Sequence, residues 1–257
     1  MMHDEDKKKF AAVIAFYDKL IPRLLDYAAS FTFDGTHILH ITSVSLYGSI
    51  LELGRSLLPL LTSESYSAIP IVLRSILEAY VDLENICKDP RYGYSMDIKA
   101  LKEELAFLKE AKKDNNVYMG IIAEAPDLDD RIAGIEAEKK RLLGRGFKDL
   151  NKFERFSKAG LENEYRTVYN WLCCASHNDQ RELQRRHLEK HEEGLKIHLF
   201  KEADYAELET HFGVASELLV RASIAIHNLL DSPRKDDLKV LREELDQLRR
   251  ENYGEED

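Results

Sequence analysis

The chain has 257 residues, 33% of them charged and 44% hydrophobic, which is typical of a soluble protein with long amphipathic helices and a sizeable core. Its formal net charge of −10 excludes a general attraction to nucleic acid or anionic membranes, so such a partner would need a local basic patch. The cysteines, Cys87, Cys173 and Cys174, make no disulfide framework, and "MMHDEDKKKF" contains no secretory or lipidation signal. The apolar stretch 38–61 is interrupted by charged residues. We therefore expect a cytoplasmic protein without a membrane span.

The predicted elements, in chain order, are all helices. No segment alternates apolar and polar residues between turn signals, so we predict no sheet. Pro22, Pro59 and Pro70 predict kinks or breaks. The fold class is all-α, a helical bundle with kinked long helices and a C-terminal helical arm. We expect one domain at 1–232, followed by an amphipathic helix and acidic tail at 233–257. The predicted helices cover 5–30, 36–61, 66–88, 96–113, 127–143, 149–158, 161–178, 204–230 and 234–251.

A narrow polar line runs along the predicted helix 66–88. Arg74, Glu78, Asp82 and Asn85 lie one above another, whereas almost every other position of this helix is apolar. A surface helix would carry polar residues over about half of its circumference. The pattern therefore predicts a helix near the centre of the fold.

Two other predicted helices carry similar polar lines. Their members are Ser45, Ser49, Glu52 and Ser56 on one helix, and Arg166, Asn170, Cys173 and His177 on the other. Because buried charges are costly unless they are paired, we expect the lines to meet in a polar seam, with Arg74 between Glu78 and Glu52 and with His177 nearby. Separate, partly wetted stripes are the open alternative. A seam is as consistent with a structural ion-pair network as with a functional site.

The stretches "AIPIVLRSILEAYVDLENICKD" and "YRTVYNWLCCASHND" together resemble a family of mostly bacterial helical proteins, domain of unknown function 5677. The resemblance covers residues 40–195. It depends on an Arg-x-x-x-Glu helix and a Tyr-x-x-Leu-x-x-x-x-His helix, which in this chain are Arg74, Glu78, Tyr169, Leu172 and His177. The family commonly has Ser where this chain has Cys173. The resemblance supports the seam but implies no reaction. From this resemblance we expect a protein that binds a ligand or partner through the seam and acts in stress or phage defence.

The sequence indicates no cofactor and no metal site. None of the nine histidines follows a Glu by three positions, which a di-iron helical bundle requires. In "HLEKH" the two histidines would share one face of a helix, but Leu188 stands where a zincin has Glu. Cys173 lies late in its helix, away from the N-terminal position that favours a reactive thiolate. A structural cysteine is the preferred interpretation.

A metal-independent ribonuclease of the HEPN type is the alternative function. Such enzymes use Arg-x4–6-His, in which His transfers a proton and Arg stabilises the phosphorane. This spacing occurs in "RELQRRH", "RRHLEKH" and "RASIAIH", and the first of these follows the family-like helix directly. The candidate catalytic residues are Arg74, Glu78, His177, Arg181 and His187.

A basic segment at 139–158 is the one candidate for anion binding. It holds eight Lys or Arg against two carboxylates, with three Phe residues interleaved, so weak binding of RNA or another anion by charge and stacking is one interpretation. A solvated loop and short helix, anchored in the core by those Phe residues, is the other. The candidate contacts are Lys139, Lys140, Arg141, Arg145, Lys148 and Lys152.

The predicted C-terminal helix carries leucines at 3-4-3 spacing. They are Leu238, Leu241, Leu245 and Leu248, which make about two heptads, short of a convincing coiled coil. We expect this edge to pack on a partner chain and to form a homodimer. Packing on the chain's own bundle is the alternative.

Overall fold

The computed structural model is almost entirely helical, which confirms the predicted all-α class. The residues that it describes are 2–113, 116–177, 179–192, 194–199, 202 and 204–254. Of the sequence patterns above, Asn178 in the second family-like stretch and tail residues 255–257 lie outside them. The helices are α1 (Met2–Ala28), α2 (Ile38–Thr62), a 3-10 turn (Tyr66–Ala68), α3 (Ile69–Lys88), α4 (Tyr92–Ala111), α5 (Gly120–Ala123), α6 (Leu128–Gly144), α7 (Lys152–Ala159), α8 (Glu162–Glu164), a π turn (Tyr165–Tyr169), α9 (Asn170–Ser176), α10 (Gln180–His187), α11 (Tyr205–Leu229) and α12 (Lys235–Tyr253).

The prolines do not break the long helices. Pro22 lies inside α1 and Pro59 inside α2, so of the predicted kinks or breaks the structure rules out only the breaks. Each proline removes one backbone hydrogen bond, but buried apolar residues on the same helix hold it against its neighbours. Pro70 lies in the first turn of α3, directly after the 3-10 turn, where a proline is tolerated.

The chain divides into two compact units, residues 1–87 with 156–257, and residues 88–155. In the larger unit, α1, α2, α11 and α12 pack around a core that also contains α3. The Tyr17 hydroxyl donates a 2.8 Å hydrogen bond to the carbonyl of Gly54. A Cβ at Gly54 would lie 2.9 Å from a methyl of Leu219, so glycine is what permits this close helix approach. The predicted boundary at residue 232 stays a prediction.

The smaller unit is built on α4 and α6, with its own apolar cluster of Leu108, Leu128 and Ile132. Exposed ion pairs also join the two helices, among them Lys109–Glu136 at 2.5 Å. Such exposed pairs contribute little, so apolar burial stabilises this unit more than its ion pairs do.

The leucine edge of α12 is buried in the chain's own core. Leu238, Leu241 and Leu245 are 2%, 0% and 1% exposed, because α12 packs on α11 and α1. The expectation that a partner chain covers this edge is therefore corrected, because the bundle itself buries it. A homodimer stays a prediction, but the leucine edge no longer supports it.

A small antiparallel hairpin, which the sequence analysis missed, follows α10. Strands β1 (Leu188–His191) and β2 (Gly194–Ile197) pair from Leu188 with Ile197 to His191 with Gly194. The prediction of no sheet is wrong: Leu195, Lys196 and Ile197 of β2 alternate apolar and polar residues, although both apolar side chains are exposed, at 66% and 69%. His191 is in a strand, so the two histidines of "HLEKH" do not share a helix face. Among the described residues, no helix is both long and apolar enough to cross a membrane.

Candidate functional site

Arg74 and the groups around it form the polar site of the larger unit. Its Nε donates to Glu78 Oε1 at 3.1 Å, one terminal nitrogen lies 2.9 Å from His177 Nε2, and the other donates to the Tyr169 hydroxyl at 3.2 Å. The guanidinium carbon also lies 5.4 Å from the centroid of the Tyr169 ring. We call these four residues the Arg74 cluster. The side chains of Arg74 and Glu78 are 20% and 27% exposed, so the cluster is half-buried and reachable from solvent.

Local structure places each member of the cluster. Arg74 and Glu78 are four residues apart on α3, which puts them on one face. Tyr169 ends the π turn, where its ring stacks on Tyr165 at 5.3 Å and lies 5.0 Å from Phe156. His177 directly follows α9. The C-terminal end of a helix carries partial negative charge, which favours a guanidinium beside it.

The contact with Arg74 selects one tautomer of His177. A guanidinium has only donors, so Nε2 of His177 must accept with its lone pair. The ring is then neutral with its proton on Nδ1. In this arrangement His177 has no free lone pair, so it holds Arg74 and cannot act as a general base.

Tyr169 and Arg74 each keep one charge state. Burial raises the pKa of Tyr169 far above its ordinary value, and a hydrogen bond with the Cys173 side chain raises it further, so the phenol stays neutral. Burial opposes the charge on Arg74, but the hydrogen bond to Tyr169 and the charges of its neighbours raise its pKa overall. The site therefore presents a permanent, positioned guanidinium.

The polar line on α2 does not join this site. Glu52, Ser45 and Ser49 are exposed, so this line is the solvent face of its helix. The expectation that Arg74 lies between Glu78 and Glu52 is wrong for Glu52. A narrow polar line shows that a face is polar, but not whether it is covered.

Arg181 and His187 lie on α10 and belong to different surroundings. Arg181 is exposed at the start of this helix, where the Asp179 side chain accepts from its backbone N–H at 3.0 Å. His187 ends the helix, and its Nδ1 lies 3.0 Å from the carbonyl oxygen of His198. Six helical positions separate Arg181 from His187 by about 120° around the axis and roughly 9 Å along it. Their catalytic roles stay predictions.

The basic segment offers fewer unpaired cations than its sequence suggests. Arg141 is held in two hydrogen bonds by Glu138, at 2.7 and 2.6 Å. Arg145 lies 5.0 Å from the ring centroid of Tyr94, whose ring is tilted by 32° against that of Phe147 with centroids 4.3 Å apart. Of the interleaved aromatics, Phe156 is fully buried. Lys139, Lys140, Lys148 and Lys152 also belong to the segment, and its role as an anion-binding surface stays a prediction.

Two residues of functional interest were not singled out from the sequence. Trp171 on α9 stacks on His211 of α11, with centroids 4.5 Å apart and planes at 11°. The two residues lie 40 positions apart in the chain, so no local pattern connects them. Within the described part of the chain, no group of three or more His, Cys, Asp or Glu side chains is arranged to hold a metal ion.

We expect Arg74→Ala to lower the free energy of unfolding by about 1–2 kcal/mol, because Glu78 and the Tyr169 hydroxyl then lose a charged partner. Water can partly replace the lost partner because Arg74 and Glu78 are partly exposed, which limits the loss of stability. Urea unfolding measures it. Arg55→Ala, an exposed arginine on α2, is the control and should change stability by less than about 0.5 kcal/mol. Equal effects of the two variants would contradict an organising role for Arg74.

Comparison with known families places these residues in a larger group. A family model, the Family of unknown function (DUF5677), matches residues 40–195, which include the entire Arg74 cluster. Neither a comparison with curated proteins nor one with solved structures found a match. The family model covers more than half of the chain, so the chain belongs to the DUF5677 family of unknown function.

Proposed function

We propose that the chain is a non-catalytic binding protein whose Arg74 cluster receives an anionic acceptor group, a phosphate or a carboxylate, of a small ligand. The observation that carries this proposal is the half-buried guanidinium fixed by Glu78, Tyr169 and His177. A guanidinium that is already oriented loses little entropy on binding, and its planar donors match the oxygens of a phosphate or carboxylate.

The cluster supports binding better than proton transfer. The three contacts of Arg74 use three of the five N–H groups of a guanidinium, so two N–H groups are left for a ligand. The Nδ1–H of His177 is a further donor. The lone pair that a general base needs is engaged by Arg74. Glu78 balances the charge of Arg74, so we expect modest affinity for a simple anion.

A thermal-denaturation titration tests the proposal, with inorganic phosphate and acetate as probes and sodium chloride at equal ionic strength as the salt control. At a probe concentration ten times Kd, the free energy of unfolding should rise by about 1.4 kcal/mol. Arg74→Lys should lose this gain because a lysine cannot present the planar fork. Arg55→Lys is the matched control. The proposal fails if neither probe stabilises the protein beyond chloride, or if Arg74→Lys responds like the unaltered chain.

Metal-independent ribonuclease activity is the competing proposal. One observation favours it: a carbonyl can only accept, so Nδ1 of His187 carries the proton and Nε2 of the neutral ring keeps the lone pair that a base requires. Incubation of the pure protein with total RNA in EDTA tests it. Cleavage that is lost in His187→Ala supports this alternative, and intact RNA removes it.

Segment 139–158 is proposed as a weak site for RNA or another anion, with stacking on the Tyr94–Phe147 pair beside Arg145 as its support. Titration of a labelled single-stranded RNA at low salt tests it. We also propose a cytoplasmic setting, which the composition supports, and a bacterial source with a role in stress or phage defence, which the family resemblance supports. A homodimer is a separate proposal that light scattering tests.

A further inference from the structure

A second candidate site lies in the larger unit, in a cleft of about 550 Å³. It is lined by the turn from Glu64 to Pro70, by one face of α10 and by the first turns of α11. None of the Arg74 cluster residues lines it. It is a separate site, independent of the function proposed above.

His211 on α11 is the unusual residue of this cleft. Its side chain is buried, at 3% exposure, and neither ring nitrogen has a hydrogen-bond partner among the described residues. The carbonyl of Glu207, one turn earlier, favours the charged ring, but no hydrogen-bond geometry is met. Burial, assisted by the charge of Arg185, lowers the pKa of His211 to about 4, so the ring is neutral near pH 7. An unsatisfied buried polar group is costly, which points to a ligand that completes it.

A second imidazole, that of His187, lines the same cleft. Its Nδ1 donates to the carbonyl of His198, so in the neutral tautomer the lone pair lies on Nε2. His187 and His211 therefore each offer an acceptor nitrogen. A ligand with several N–H donors would satisfy both.

The charge of the cleft favours a cation. Among the described residues, six carboxylates line it against two guanidinium groups, and Arg185 is already held by Glu182 and Glu207 at 2.7 to 2.8 Å. The cleft is also lined by Asp6, Glu64 and Glu202, which have no ion pair within the part of the chain that the structure describes. Together with the hydroxyls of Tyr66 and Tyr205, these carboxylates form a wall rich in hydrogen-bond acceptors. Carboxylates and imidazole acceptor nitrogens together suit an organic ammonium.

We propose that this cleft binds a small organic cation with primary ammonium groups, of the linear polyamine class. The ammonium groups contact the carboxylates of Glu64 and Glu202, and one N–H donates to the buried lone pair of His211. Such a cation has several N–H donors for the two imidazoles, whereas an anion would meet mainly acceptors. A metal ion is a poorer fit, because no metal-binding cluster is found among the described residues.

Trp171 provides the readout, because it is the only tryptophan of the chain and stacks on His211. Titration of the full-length protein with spermidine, followed by tryptophan fluorescence and by calorimetry, should show saturable binding. Magnesium chloride and sodium phosphate at equal ionic strength are the controls and should produce no saturable signal. An equal response to magnesium would overturn the proposal, because it indicates charge screening alone. Saturation by phosphate instead would overturn it as well.

Two variants, measured by calorimetry, separate the contribution of the carboxylates from that of His211. Glu64→Gln combined with Glu202→Gln changes exposed side chains only and should weaken spermidine binding at least about tenfold. His211→Phe keeps a ring against Trp171 but removes the lone pair, and it should weaken binding by about tenfold. The matched control is Glu192→Gln, an exposed carboxylate of the hairpin loop that does not line the cleft. Unchanged affinity in both test variants, or an equal loss in the control, would contradict the proposed site.

Discussion

The free energy of unfolding should fall by about 5 kcal/mol between pH 7 and pH 4.5 through two buried histidines alone, because each ring must remain neutral in the folded chain. The pKa of His211 and that of His227 are both lowered to about 4, mainly by burial, against 6.5 in an unfolded chain. Between these values the unfolded state binds more protons than the folded state, so stability rises with pH. The stability that the two neutral rings contribute is fully present above pH 6.5 and is lost as the pH falls towards 4.

The surroundings of His227 explain why its charge is excluded. The ring is fully buried, lies 4.5 Å from Phe31 and shares a 2.7 Å hydrogen bond with the Ser232 hydroxyl. His227→Gln keeps a hydrogen-bonding group but does not titrate, so the pH dependence of stability should lose about half of its slope between pH 4.5 and 6.5. Urea unfolding at several pH values measures this slope. His37→Gln, an exposed histidine, is the control, and an unaltered slope in His227→Gln would contradict the account.

Leu241→Ala should lower the free energy of unfolding by about 3 kcal/mol, the usual cost of a cavity left by a fully buried leucine. Chemical denaturation measures the loss. Val240→Ala removes methyl groups from the adjacent residue, which is 51% exposed, and should cost less than about 0.5 kcal/mol.

The same pair of variants distinguishes a core position from an interface position. Stability that does not depend on protein concentration is expected for both, because the chain itself covers the edge. A Leu241→Ala variant that retains its stability but changes the particle mass in light scattering would place the edge between two chains and contradict the packing described here.

Sequence patterns predicted the helices well because their apolar periodicity reflects burial directly. The leucines at 238, 241 and 245 show the limit of this reasoning. Their spacing predicts an apolar edge, but it is the same whether that edge meets another chain or α11. The hairpin was missed for a different reason: each strand has only four residues, so the alternation of Leu195, Lys196 and Ile197 in β2 is too short to stand out.

The candidate site was predictable where helix geometry alone places the groups. Arg74 and Glu78 are neighbours on any helix, and the expectation that His177 lies near them is confirmed by the 2.9 Å contact. Glu52 lies on an equally narrow polar line of α2, yet that line faces solvent, because burial depends on which helices pack together. The stacking of Trp171 on His211 depends on tertiary packing and left no local pattern to find.

The protonation state of His177 tests the central claim most directly, because the binding role depends on Nε2 accepting from Arg74. Long-range ¹H–¹⁵N NMR of the imidazole ring at pH 8 distinguishes the two neutral tautomers. We predict a protonated Nδ1 and an unprotonated Nε2 in the unaltered chain, with this preference lost in Arg74→Ala. A proton on Nε2, or a tautomer that Arg74→Ala leaves unchanged, would contradict the account.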